Sequence, residues 1–245
     1  MTKIDELKYL TGLVILILHS NQIMSIESLE NLTSLTDLRL SNNKITSIDK
    51  LKYLTNLTNL ELAFNRIKSI QSLEKLVKLK LLLLSSNEID SVKCVENLTK
   101  LYRLEIGSNR LETLNGLQNL NQLVYLDSKN NQLRRLDELS KLSILTNLLL
   151  DSNKIESLNA LANLTQLKYI YIVGNRLTSI DGLQNLTYLS YVWLSNNSLD
   201  SLKPLRKLKN AISLKLDLNK IEYLDGIEDL IQLEYLDLSS NRIQR

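Results

Sequence analysis

Asparagine recurs in this chain every 22 residues without a miss, at Asn21, Asn43, Asn65, Asn87, Asn109, Asn131, Asn153, Asn175, Asn197, Asn219 and Asn241. Around each lies the same order of apolar residues, as at Leu98, Leu101, Leu104, Ile106 and Leu111 around Asn109. Self-similarity at this period marks a solenoid, in which each repeat buries its apolar face only against its neighbours. No other feature constrains the chain as much. A linker would shift the phase, so the unbroken register predicts one elongated domain over residues 1–245. Residues 1–6 form a short lead, and the last repeat is truncated at Arg245.

Within each repeat the apolar spacing changes. At Leu104-Glu105-Ile106 it alternates, so Leu104 and Ile106 point inward while Arg103, Glu105 and Gly107 point outward. The same pairing recurs at Leu38/Leu40, Leu148/Leu150, Ile170/Ile172 and Leu214/Leu216. Each repeat therefore offers one short strand, and stacking makes a parallel sheet. The fold class is α/β, a curved solenoid of eleven repeats with its sheet on the concave side. Segments such as Leu114–Leu120 carry apolar residues at intervals of three, which suits short 3₁₀ turns on the convex side. The repeated asparagine stands where the chain leaves the strand. Its amide both donates and accepts, so it can satisfy backbone groups that cost ~1–3 kcal/mol each when buried unpaired.

Two repeats depart from the pattern. Ser128 stands where Leu or Ile is expected and needs a local partner or a water, while Ala211 followed by Ile212 predicts a local bulge. The first strand, Leu13–Leu18, is apolar on both faces. With the uncapped core of both ends, it predicts end-to-end self-association or a capping segment from a longer parent chain.

Composition narrows the function classes. One histidine, His19, leaves no nucleophile–base pair and no second imidazole for a metal, so neither a catalytic residue nor a metal ligand is assigned. The glycines form no phosphate-cradling run, and no cofactor is expected. A net charge of +3 scattered over the whole chain gives no reason to expect nucleic acid. The longest apolar run, Leu13–Leu18, is too short to span a membrane. The single Cys94 excludes an intrachain disulfide and points to a reducing compartment, cytoplasm or nucleus, or to an uncapped fragment. Five Asn-Leu-Thr sequons, at Asn31, Asn56, Asn97, Asn163 and Asn185, read most simply as products of repetition.

The sheet face carries the functional expectation. Outward positions fall six, four and two residues before each repeated asparagine and form columns across strands ~4.8 Å apart. These columns hold Tyr169, Tyr171, Tyr191 and Trp193 together, with Asp127, Lys215 and Asp237 around them. The chain's only tryptophan and five of its ten tyrosines stand there. Aromatic residues grouped on one face and ringed by charge predict a hot spot for a folded protein partner.

The repeat Leu-x-x-Leu-x-x-Leu-x-Leu-x-x-Asn-x-Ile/Leu resembles the 22-residue class of leucine-rich repeats over the whole chain. Within that class, Leu104–Arg110 and Val192-Trp193-Leu194 are similar to repeats of the leucine-rich-repeat regulatory subunits of protein phosphatase 1. That resemblance implies the phosphatase catalytic subunit as partner, held by Glu61, Glu105 and Trp193. Bacterial internalin adhesins share the period, and Ser201-Leu-Lys-Pro-Leu205 approaches their Asp-Ile-x-Pro-Leu. The leading expectation is a non-enzymatic intracellular scaffold; the alternative is an exported adhesin or receptor ectodomain.

Overall fold

The computed structural model describes residues 4–244. It divides into two compact units, Met1–Leu123 and Val124–Arg245. Unit 1 holds strands β1 (Ile15–Ile17), β2 (Asp37–Arg39), β3 (Asn59–Glu61), β4 (Leu81–Leu83) and β5 (Arg103–Glu105). Unit 2 holds β6 (Tyr125–Asp127), β7 (Asn147–Leu149), β8 (Tyr169–Tyr171), β9 (Tyr191–Trp193), β10 (Ser213–Lys215) and β11 (Tyr235–Asp237). Within each unit every strand pairs in parallel with its neighbour in sequence. The register advances by 22 residues at each step, as in Tyr171↔Trp193 and Trp193↔Lys215.

The alternating pattern places the core as expected. In unit 2, Leu148, Leu150, Ile170, Ile172, Val192, Leu194, Leu214 and Leu216 are fully buried. Short 3₁₀ segments such as Gln71–Lys75 and Lys203–Lys207 return the chain between strands. Pro204 sits at the start of the latter, where its missing N–H is harmless. Some repeats make this return by a tight turn. Gly182 there has φ +98°, and a Cβ would stand 2.3 Å from the Leu158 carbonyl oxygen, so only glycine fits. Its N–H donates to Gln184 Oε1 at 3.0 Å. No helix among the described residues is long and apolar enough to cross a membrane.

The repeated asparagines bind one repeat to the one before. Asn153 Nδ2 donates to Ser128 O at 3.1 Å and Leu150 O at 3.0 Å, while its Oδ1 accepts from Leu133 N at 3.0 Å. Asn43, Asn65, Asn197 and Asn219 repeat this geometry within their own units. The residue just before each asparagine is left-handed, with φ between 52° and 59° at non-glycine residues such as Asn130 and Ser86. Serine and asparagine tolerate this turn, but Phe64 and Leu218 occupy it too, against their steric preference.

Two expectations about departures resolve differently. Ser128 is fully buried, and its Oγ has no hydrogen-bond partner among the described residues. The bulge expected at Ala211 does not form. Ala211 is buried, and Ser213↔Tyr191 and Leu214↔Val192 pair in unbroken register. The small side chain is absorbed in the turn before the strand, so the ladder never has to accommodate it.

Replacing Asn153 by alanine strands the buried Leu133 N–H and leaves Ser128 O and Leu150 O with only their second donors, Asn131 and Asn175, and should cost about 2 kcal/mol in urea unfolding. Asn241→Ala, at a less buried position, should cost about 1 kcal/mol in the same measurement. Equal costs at both positions would contradict this account. Ser128→Ala removes an unpaired buried hydroxyl and should raise stability by about 1 kcal/mol, read from the urea midpoint.

Candidate functional site

Parallel strands in exact 22-residue register bring equivalent side chains side by side, so aromatic residues at matching positions must stack. On unit 2 Tyr169 and Tyr191 lie with ring centroids 5.1 Å apart and planes at 15°. One column along, Tyr171 and Trp193 lie 4.6 Å apart at 41°. Lys215 Nζ sits 4.9 Å from the Trp193 ring centroid, and Trp193 Nε1 donates to Ser213 Oγ at 3.3 Å. The four rings are therefore half-buried rather than freely exposed. Trp193 is held between Tyr171 on β8 and Lys215 on β10. Stacked aromatic pairs contribute about 0.5–1.5 kcal/mol beyond their burial, so the ladder is rigid before any partner arrives.

The charged residues around the ladder are not equivalent. Asp127 is 4% exposed, closed over by Lys129 with Nζ at 3.2 Å from Oδ2, and accepts the Lys129 N–H at 3.1 Å. Asp237 is open, and the Ser239 hydroxyl at 2.6 Å and N–H at 3.0 Å hold its carboxyl below the usual range. Asp217 is bonded by the Ser195 hydroxyl. Burial raises the Tyr171 phenol above its ordinary value, with the neighbouring tyrosines adding to the effect.

Asp151, two residues beyond β7, is one of the charges that the outward columns set around the rings. Its Oδ1 accepts Val173 N–H at 2.8 Å, across to the next repeat. Burial raises its pKa above the ordinary carboxylate value; the Val173 N–H and Lys129 oppose the shift without cancelling it. The sequence reading gives no prominence to Leu218, which is 53% exposed in its left-handed turn, three residues beyond Lys215. The signal was present, as a Leu at a register position where every other repeat but that of Phe64 carries Ser, Asn or Gly.

Glu61 and Glu105 belong to unit 1. There, Arg103 pairs with Glu105 through Nε at 2.8 Å and Nη2 at 2.5 Å. Glu61 takes Arg39 Nε at 3.5 Å and His19 Nε2 at 3.4 Å, while Arg39 also grips Asp37 at 2.8 and 2.9 Å. The Arg39 guanidinium holds the Asp37 carboxyl below its usual range. The carboxylates of this face thus have cations within the sheet itself. Among the described residues no group of three His, Cys, Asp or Glu side chains is placed to hold a metal ion. Cys94 is buried; its Sγ donates to Ile70 O at 3.2 Å, and burial pushes the thiol up to about 11.

The family model for leucine-rich repeats matches residues 11–53, 33–75 and 165–207. Internalin C2 from Listeria monocytogenes is 32% identical, over 78% of this chain and 82% of that one, with a TM-score of 0.71. The chain belongs to the leucine-rich repeat family. A second Listeria internalin, inlF, is 26% identical over 97% of this leucine-rich repeat chain and 84% of its own, with a TM-score of 0.64. A leucine-rich repeat protein of Leptospira interrogans shares the fold, at 23% identity and a TM-score of 0.80, covering 99% and 76% of the two chains. No curated protein matches the sequence.

Because burial raises the Asp151 pKa, the native state binds its proton more tightly than the unfolded chain does. Stability is therefore reduced at neutral pH and recovers as pH falls through the native pKa. Asp151→Asn keeps an acceptor for Val173 N–H and should unfold at a higher temperature than wild type at pH 7. The gap should close below about pH 3.9, where an ordinary carboxylate is protonated. A variant less stable at pH 7 would refute the assignment.

Proposed function

We propose that this leucine-rich repeat protein is a non-enzymatic scaffold that holds a folded protein partner on the open sheet face of unit 2. The supporting observation is the preassembled ladder of Tyr169, Tyr191, Tyr171, Trp193 and Lys215. Tyrosine and tryptophan held rigid in advance lose little side-chain freedom on binding, which is why they dominate protein interfaces.

The finer reading, a protein phosphatase catalytic subunit as partner, rests on Glu61, Glu105 and Trp193. Its acidic members already have arginine partners in the sheet, so a phosphatase would have to compete with them. Trp193 and its neighbours carry the proposal; Glu61 and Glu105 carry less. We place the scaffold inside the cell on the single unpaired Cys94. A second reading, an exported or surface protein using the same face, draws on the 32% identity to internalin C2.

Pull-down from the native source with wild type, Trp193→Ala and Tyr171→Ala tests the face. Each truncation should weaken partner binding by about 2 kcal/mol or more. Each should also lower fold stability by about 1 kcal/mol, because both rings belong to the ladder. Binding unchanged in the double variant sinks the proposal.

A further inference from the structure

The two units treat the carboxylates of their sheet faces differently. On unit 1, Asp37, Glu61 and Glu105 are in ion pairs with arginines two residues away or one strand over. On unit 2 only Asp127 is paired, by Lys129. Asp151, Asp217 and Asp237 have no cation within ion-pair distance among the described residues, and accept from an N–H or a hydroxyl instead. Of the two lysines in these columns, Lys129 closes over Asp127 and Lys215 lies on Trp193. Beside the aromatic ladder these three carboxylates outnumber the two lysines, which reach Asp151 and Asp237 only at longer range than an ion pair.

We infer that the partner presents a basic segment to this face, with an arginine or lysine side chain seated on Asp151 beside Tyr171 and further basic residues facing Asp217 and Asp237. The inference rests on the reading of unit 2 as a protein-binding face and names the chemistry it selects. Asp151 spends one carboxylate oxygen on Val173 N–H, which leaves the other to accept from an incoming cation. It lies at the register position two residues before its repeated asparagine, next to the column that holds Tyr171 and Trp193. A guanidinium or ammonium arriving there gains a charge-assisted bond in a partly desolvated setting, where such bonds are strongest. The same burial that works against the charged carboxylate in the free protein is offset when a cation arrives. A carboxylate held at the fold's expense is a common mark of a functional position. Exposed Leu218, in its strained turn beyond β10, supplies an apolar contact next to Asp217.

The test uses the full chain, immobilised, and three degenerate peptide libraries that differ only at a fixed central residue: arginine, lysine or glutamate. The arginine and lysine libraries should be retained about tenfold better than the glutamate library. Asp151→Asn combined with Asp217→Asn should abolish that preference. Asp137→Asn, which alters a carboxylate on a 3₁₀ segment already paired with Arg135, should leave it intact. No preference for the basic libraries, retention of none, or a preference that survives the double substitution overturns the inference. If retention without charge preference is still lost in Trp193→Ala, the binding face stands and only its proposed chemistry fails. If Trp193→Ala changes nothing either, both fail.

Discussion

The bond from each repeated asparagine to the preceding repeat holds everything else in place. A parallel pair of three-residue strands offers few hydrogen bonds, too few to fix its own register. The amide of Asn153 adds one donated and one accepted bond between repeats and a second donated bond within its own, all buried. The left-handed residue just before each asparagine sets the angle at which that amide enters. Buried backbone groups left unpaired are costly, so a slipped repeat would strand several at once. Register is therefore pinned at each step within a unit. Side chains at one repeat position then stand directly beside their counterparts.

That pinning turns sequence position into surface chemistry. Where equivalent positions carry opposite charges two residues or one strand apart, they meet and neutralise each other, as Arg39 does with Asp37 and Glu61. Where they carry aromatic rings, the rings stack. The scaffold does not choose between these outcomes. Unit 1 spends its face charges internally, whereas unit 2 keeps three carboxylates without ion-pair partners among the described residues beside a rigid aromatic ladder. Complementary fields steer encounter and select partners more than they raise affinity, and stacked rings supply the contact area.

Much of this was legible before any coordinates. Tyr169, Tyr171, Tyr191 and Trp193 share two columns because their distances from the repeated asparagine agree, and the structure brings them together as that arithmetic requires. Their exposure was not legible. Rings on neighbouring strands bury one another, and the count of outward positions does not reveal it. Asp127 reads as an open charge in the sequence but is covered by Lys129, while Asp151 reads as one Asp among many yet is desolvated. Glu61 and Glu105 matched a motif, but arginines in the sheet already hold them.

By itself, the sequence determined the repeat, the short parallel strands, the inward and outward faces and the column of every side chain. It could do so because periodicity is a local property that stacking preserves. Only the tertiary structure decided which carboxylates find cations, which rings lie face to face and which turns strain a bulky residue. Those outcomes depend on side chains 22 residues apart meeting at van der Waals distance. Burial, ion pairing and stacking there follow from neighbours in space.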